Sequence, residues 1–183
     1  MQHDFLKVTE ETEDGFRKIA RKLFNDFAIQ NENSLYRLTE IEFYWTSPTH
    51  KDESVYKRIH TNPSTGEWFF HYSGVDIALK NDELKGYGGI LIRSIYDIDS
   101  GKSTKGPQVC VMKLFSGINA FSSSFPVQII DYKFQEEQIG NTERIGLGNN
   151  AQISGSDKFK YRFILLFIKL AIFQLHHYAR KSS

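Results

Sequence analysis

The stretch Leu38-Thr39-Glu40-Ile41-Glu42-Phe43-Tyr44-Trp45 constrains the fold more than any other part of this chain. Its β-branched and aromatic content is that of a strand. Side chains on a strand alternate between faces. Ile41, Phe43 and Trp45 therefore share one face, and Glu40, Glu42 and Tyr44 share the other. The first set is a core face. The second sets carboxylates and a phenol side by side between bulky apolar neighbours. Partial desolvation and a like charge nearby both raise a carboxyl pKa, and such a group suits general-base chemistry. The alternative is an edge strand whose polar face is solvated, which is common in antiparallel sheets.

Residues 13–29 predict a helix. Phe16, Ile19, Ala20, Leu23, Phe24 and Phe27 follow a helical stripe, with Arg17, Lys18, Arg21 and Lys22 on the opposite face. Residues 31–34 read as a turn into the strand above. Residues 46–66 carry Ser47-Pro48, Asn62-Pro63 and many charges, and read as a loop. Residues 68–79 read as one strand interrupted at Ser73-Gly74 by a bulge or bend. Residues 81–89 read as a loop framed by Asn81-Asp82-Glu83 and Gly86-Tyr87-Gly88-Gly89.

A buried strand over residues 90–98 follows, then a turn at Asp99-Ser100-Gly101. Gly106-Pro107 suits the start of a helix over residues 109–114. Residues 127–134 and the alternating run from Phe159 read as strands, and residues 165–180 as a basic terminal helix. Strands and helices do not alternate regularly. The expected class is therefore α+β with an antiparallel or mixed sheet. At 183 residues a single domain is expected, with its core over about residues 13–168 and the basic helix at 169–183.

The net charge of +1 gives no global attraction to nucleic acid, so any DNA contact must rest on a local patch. The single cysteine, Cys110, lies in an apolar run and reads as a core residue; no internal disulfide can form. Residues 163–168 are the longest apolar run, too short to span a bilayer. No apolar signal core opens the chain. A cytoplasmic protein without membrane contact is expected.

The histidines His3, His50, His60, His71, His176 and His177 form no metal-ligand spacing, and no metal or cofactor is expected. Gly86-Tyr87-Gly88-Gly89 precedes a strand and lacks the helix dipole of a phosphate loop. Arg144-Ile145-Gly146-Leu147-Gly148 places backbone amides where an anion can sit. Arg93, inside the apolar run 88–95, needs an acidic partner or a phosphate. The aromatic clusters at 43–45 and 68–72 suit a core, or stacking on a nucleobase.

In order along the chain these pieces resemble the alkyladenine (3-methyladenine) DNA glycosylases. Ile41-Glu42-Phe43-Tyr44 is similar to the family's ETEAY strand, and residues 66–79 to its GxxYVYxxYGMxxCxN segment. Gly89-Ile90-Leu91-Ile92-Arg93-Ser94-Ile95 is similar to GxVLLRAxEP, and Lys105-Gly106-Pro107 to the start of GPxKLxxALGI. Arg144-Ile145-Gly146-Leu147-Gly148 with Phe159-Lys160-Tyr161-Arg162-Phe163 is similar to RxGxxxAxxxPLRFY. The opening helix, Arg17-Lys18-Ile19-Ala20-Arg21-Lys22-Leu23-Phe24, fits xxIARxLLGxxL.

The resemblance implies one domain with a curved antiparallel sheet flanked by helices, like a formyltransferase C-terminal domain. It also implies excision of a flipped-out damaged purine. On that basis Glu42 would activate the attacking water, Tyr44 and Phe70 would stack on the base, and Arg93 would meet phosphate or the base Glu42. Trp68 and Tyr72 would add aromatic surface.

Three positions depart from the pattern. Ser73 stands where the family has a wedging tyrosine, and strand alternation would turn the neighbouring Tyr72 to the other face. The pocket asparagine falls on Leu79 or Lys80. The pocket histidine falls on His50 or His60. The implied partner is single-stranded or distorted DNA, bound by a monomer. The other reading is a non-catalytic module that binds a nucleobase or another planar ligand.

Overall fold

The computed structural model describes residues 4–32, 34–56, 63–119, 121 and 126–166. The chain opens with a short 3-10 turn, Asp4–Leu6, and helix α1, Glu13–Asp26. Thr12 caps α1 by accepting the Gly15 N–H at 3.2 Å, and Glu13 and Asp14 sit at the positive end of its dipole. Phe16, Ile19, Ala20, Leu23 and Phe24 are the buried stripe, as the periodicity predicts.

The helix stops at Asp26, short of the predicted residue 29. Phe27 is extended (φ −138°, ψ 148°) and opens strand β1, Phe27–Asn31. Here sheet pairing overrides helical periodicity: Phe27, Ala28 and Ile29 ladder against residues 131–129. The last helical carbonyls are satisfied from outside the helix. Arg37 Nε donates to Phe24 O at 2.9 Å and the Phe134 N–H to Asn25 O at 2.8 Å.

Strand β2, Ser34–Thr46, is the central strand. It pairs with β1 and residues 162–164 along one edge and with residues 87–97 along the other. Strands β3, Trp68–His71, and β4, Gly74–Asn81, form a tight hairpin with His71 opposite Gly74. The predicted bulge at Ser73-Gly74 is thus a turn between two strands.

Strand β5, Gly86–Asp97, begins earlier than predicted, because its glycines are ladder residues and not a loop. The reason is close packing. A Cβ at Gly88 would lie 1.9 Å from Tyr44 O, and one at Gly89 would lie 2.5 Å from Asp76 Oδ2. Strand β6, Lys102–Lys105, and helix α2, Pro107–Leu114, follow, with Gly106 at the helix start as expected.

Strands β7, Gln128–Asp131, and β8, Gln138–Thr142, then helix α3, Asn149–Ser154, and strand β9, Arg162–Leu166, complete the described chain. Residues 165 and 166, assigned to the terminal helix from the sequence, are strand; the rest of that helix lies outside the described residues.

The strands form one antiparallel sheet with the path β3-β4-β5-β2-β1-β7, and the fold is α+β, a curled half-barrel with helices against it. The core face carries Ile41, Phe43, Trp45, Val75, Ile77, Leu79, Ile90 and Ile92, all fully buried in one cluster with the α1 stripe and Cys110. Cys110 is the core residue its surroundings predict, and burial pushes its thiol up to about 12. The opposite face of the same strands carries Glu42, Tyr44, Asp76, Leu91 and Arg93. Among the described residues no helix is long and apolar enough to cross a membrane.

Candidate active site

Two compensating irregularities in the β2–β5 ladder shape the polar face. Leu38 pairs with Ile95 and Glu40 with Ser94, so Thr39 is an extra residue on β2. Ile41 then pairs with Ile92, so Arg93 is an extra residue on β5. A bulge re-aims a side chain. The Arg93 guanidinium lies across both carboxylates of β2, with Nε 3.1 Å from Glu40 Oε1 and Nη1 3.1 Å from Glu42 Oε2. Arg162 of β9 adds a second contact, Nε to Glu40 Oε1 at 2.8 Å. The acidic partner that a buried arginine requires is therefore intramolecular.

Glu42 is fully buried. Its Oε2 accepts the Tyr44 hydroxyl at 2.8 Å as well as Arg93, and its Oε1 accepts the Ile145 N–H at 3.2 Å. Burial raises its pKa above the ordinary carboxyl value, opposed by Arg93, the Tyr44 and Ile145 hydrogen bonds, and Arg144. Burial also pushes the Tyr44 phenol well above its usual range, and the charge of Glu42 adds to this. The anion that the amides of the Arg144-Ile145-Gly146 loop can meet is thus the carboxylate of Glu42.

Tyr44 and Arg93 of this cluster form the floor of a cleft, a cavity of about 660 Å³. Tyr44, Leu91 and Arg93 line it from the sheet, Tyr56 and His71 from one wall, and residues 145–151 from the other. The volume is within the range typical of small-molecule sites. Glu42 itself is not on the surface of the cleft; it touches the cleft through Tyr44 and Arg93.

The β3–β4 hairpin supplies the aromatic wall. His71 Nε2 lies 3.0 Å from Asp76 Oδ1, and the Ser73 N–H donates to His71 Nδ1 at 3.2 Å. With Nδ1 accepting, neutral His71 carries its hydrogen on Nε2, facing Asp76. Tyr56 packs 4.9 Å from the His71 ring and 5.7 Å from the Tyr72 ring, and its hydroxyl lies 3.1 Å from Ser73 Oγ. Tyr72 and Ser73 occupy the turn, where strand alternation does not apply. Both line the cleft, and Tyr72 is 82 % exposed.

Of the residues singled out in the sequence, Glu42, Tyr44, Arg93, Tyr72 and Ser73 come together. Four others do not, and each has a physical reason. The register Trp68↔Ile77 and Phe70↔Val75 puts Trp68 and Phe70 on the core-facing side of the sheet. There Trp68 Nε1 donates to Val127 O at 3.1 Å, and both rings pack edge-on against Phe115. Phe70 therefore does not face Tyr44 across the cleft. Lys80 is exposed and pairs with Asp82 at 3.3 Å. His50 packs on Phe159 and Tyr161, away from the cleft, and burial lowers its pKa. His60 lies outside the described residues.

The sequence marked Arg144 only as part of its loop motif, and it did not mark Asp52, His71 or Asp76 as site residues. Asp52 and Arg144 form a fully buried pair, with Arg144 Nη2 3.1 Å from Asp52 Oδ1. His71 and Asp76 meet only because the chain reverses at Tyr72-Ser73. The one sequence signal for His71 is that alternation sets it opposite Phe70. Among the described residues, no group of three or more His, Cys, Asp or Glu is arranged to hold a metal ion.

No family model matches the chain. It is 29% identical to uncharacterized protein L759 of Acanthamoeba polyphaga mimivirus, over an alignment of 209 residues covering 86% of this chain and 91% of that protein. The two chains thus resemble one another along nearly their whole lengths.

Proposed function

We propose that this protein is a divergent N-glycosylase, a hydrolase that releases a damaged purine base from single-stranded or distorted DNA. The observation that carries this reading is the buried Glu42 carboxylate, bonded to the Tyr44 hydroxyl and to Arg93 beneath a cleft of about 660 Å³. A hydrolytic base needs a proton acceptor of raised pKa sealed from bulk water, and Glu42 has both properties.

Because Tyr44 stands between Glu42 and the cleft, its hydroxyl relays the proton. A water against Tyr44 Oη gives up a proton as Tyr44 passes its own to Glu42. The water oxygen bonds to the glycosidic carbon, and the electrons of the broken C–N bond leave with the base. Arg93 and the Ile145 N–H hold Glu42 in place. Tyr72, at the exposed hairpin tip, takes the wedge role for which Ser73 is too small.

The test is release of hypoxanthine or 3-methyladenine from single- and double-stranded oligonucleotides. The expected result is release by the wild type, loss on Glu42→Gln, and reduction on Tyr44→Phe. Release that survives Glu42→Gln overturns the mechanism.

A second reading is a non-catalytic module that holds a nucleobase or other planar ligand in the same cleft. The occupancy of Glu42 favours it, since three donors, two of them on Oε2, already bond to the carboxylate. Binding of the base without its release would establish this second reading.

A further inference from the structure

We infer that Arg144 is the positioning residue of the cleft floor: it holds the Tyr44 ring by its face and, through the adjoining peptide, holds the Ile145 N–H on Glu42. This inference rests on the proposed roles of Glu42 and Tyr44, and it assigns them a common support that neither strand supplies.

Arg144 follows β8 in the loop that forms one wall of the cleft. Its side chain turns inward and is completely buried. Nη1 donates to Phe43 O at 3.0 Å, the peptide oxygen immediately before Tyr44. Nη2 donates to Ser156 O at 2.8 Å and to Asp52 Oδ1 at 3.1 Å. The guanidinium carbon lies 4.7 Å from the centre of the Tyr44 ring, with Phe159 and Tyr161 about it at 5.9 and 5.8 Å.

One group thus grips β2 at Phe43, the Tyr44 ring, the loop at Asp52 and the turn at Ser156. The next residue along the chain presents its N–H to Glu42 Oε1. The planar fork makes this geometry specific to arginine, because a lysine ammonium is a point charge.

Arg144 Nε is buried without a hydrogen-bond partner among the described residues, and leaving a buried donor unsatisfied is unfavourable. Apolar residues of similar volume often replace a buried ion pair without loss of stability. A guanidinium under Tyr44 keeps its place by what it orients. The groups around Glu42 are Tyr44 on its own strand, Arg93 on β5, and Arg144 with the Ile145 N–H from the loop. Glu40 reaches it through Arg93, and Asp76 faces Tyr44 across the floor.

The experiment compares Arg144→Lys, which keeps the charge and loses the fork, with Arg144→Gln, which loses both. Two readouts are used: hydrogen exchange at the Ile145 amide, referred to core amides such as Ile92, and the carboxyl titration of Glu42 followed by carbon NMR. In Arg144→Lys, Ile145 exchange is expected to rise about five- to tenfold relative to Ile92, the factor that corresponds to one hydrogen bond's net worth. The Glu42 titration moves upward in both variants, further in Arg144→Gln. A merely structural Arg144 predicts exchange rising equally at Ile145 and Ile92, with Glu42 in Arg144→Lys, where the charge is kept, titrating as in the wild type, and that result overturns the inference.

If neither variant folds, Asp52→Asn loosens the grip while leaving the guanidinium. Selective exchange at Ile145 in that variant supports the inference, and uniform exchange overturns it. None of these readouts needs base release. Absence of release by the wild type would therefore count against the glycosylase reading alone.

Discussion

At the residue scale, the electrostatics beneath the cleft turns on how Glu42 shares its proton. Its folded pKa lies above the ordinary carboxyl value near 4.5, because burial outweighs Arg93, Tyr44, Ile145 and Arg144. The folded state then holds the proton more tightly than the unfolded chain. The contribution of Glu42 to stability is complete below the ordinary value and is lost as pH rises through the folded one. Urea unfolding across that interval should show wild-type stability falling with pH more steeply than in Glu42→Gln. Parallel curves would contradict this. Tyr44→Phe removes a hydrogen bond to a charged group, an expected loss of about 1.5–3 kcal/mol. It also removes a contact that lowers the Glu42 pKa, so the carboxyl should titrate higher still by NMR. Asp52→Ala leaves Arg144 buried and unpaired, and denaturant melts should register about 3–5 kcal/mol.

At the scale of elements, the β2–β5 ladder is the device that builds the floor. The bulge at Arg93 turns a residue expected inside an apolar strand across two carboxylates. The glycines at the start of β5 let β2 and β4 approach it. Gly88→Ala would drive a Cβ into Tyr44 O, 1.9 Å away; thermal melts should show a loss of several kcal/mol, about 4 or more. Gly148, on the cleft wall, has no atom within 4 Å of its Cβ position and an ordinary φ of −76°. Gly148→Ala should stay within about 0.5 kcal/mol of wild type.

The strand face of Glu40, Glu42 and Tyr44 was readable in the sequence because alternation is a local rule. The side on which Phe70 lies was not. Its face follows from the register of β3 on β4, and that register depends on where the hairpin turns. Tyr72 entered the cleft for the same reason: a turn residue is exempt from alternation.

At the scale of the whole molecule, one sheet carries both the core and the cleft, so loosening either should loosen the other. The net charge of +1 predicts that any DNA affinity is local and modest. Fluorescence titration with abasic and undamaged oligonucleotides at two salt concentrations should show preference for the abasic strand, with a shallow salt dependence. Absence of any salt-sensitive binding favours the planar-ligand reading.

The sequence by itself determined the α+β class, the apolar stripe of α1, the two faces of β2, the start of α2 and the burial of Cys110. Each of these follows from local periodicity or composition. Only the tertiary structure decided that α1 ends at Asp26, that Arg93 spans Glu40 and Glu42, and that Arg144 lies beneath Tyr44. Those outcomes join residues from about fifty to about one hundred positions apart. They depend on strand register and on the cost of burying a charge without a partner, neither of which is a property of a short stretch of chain.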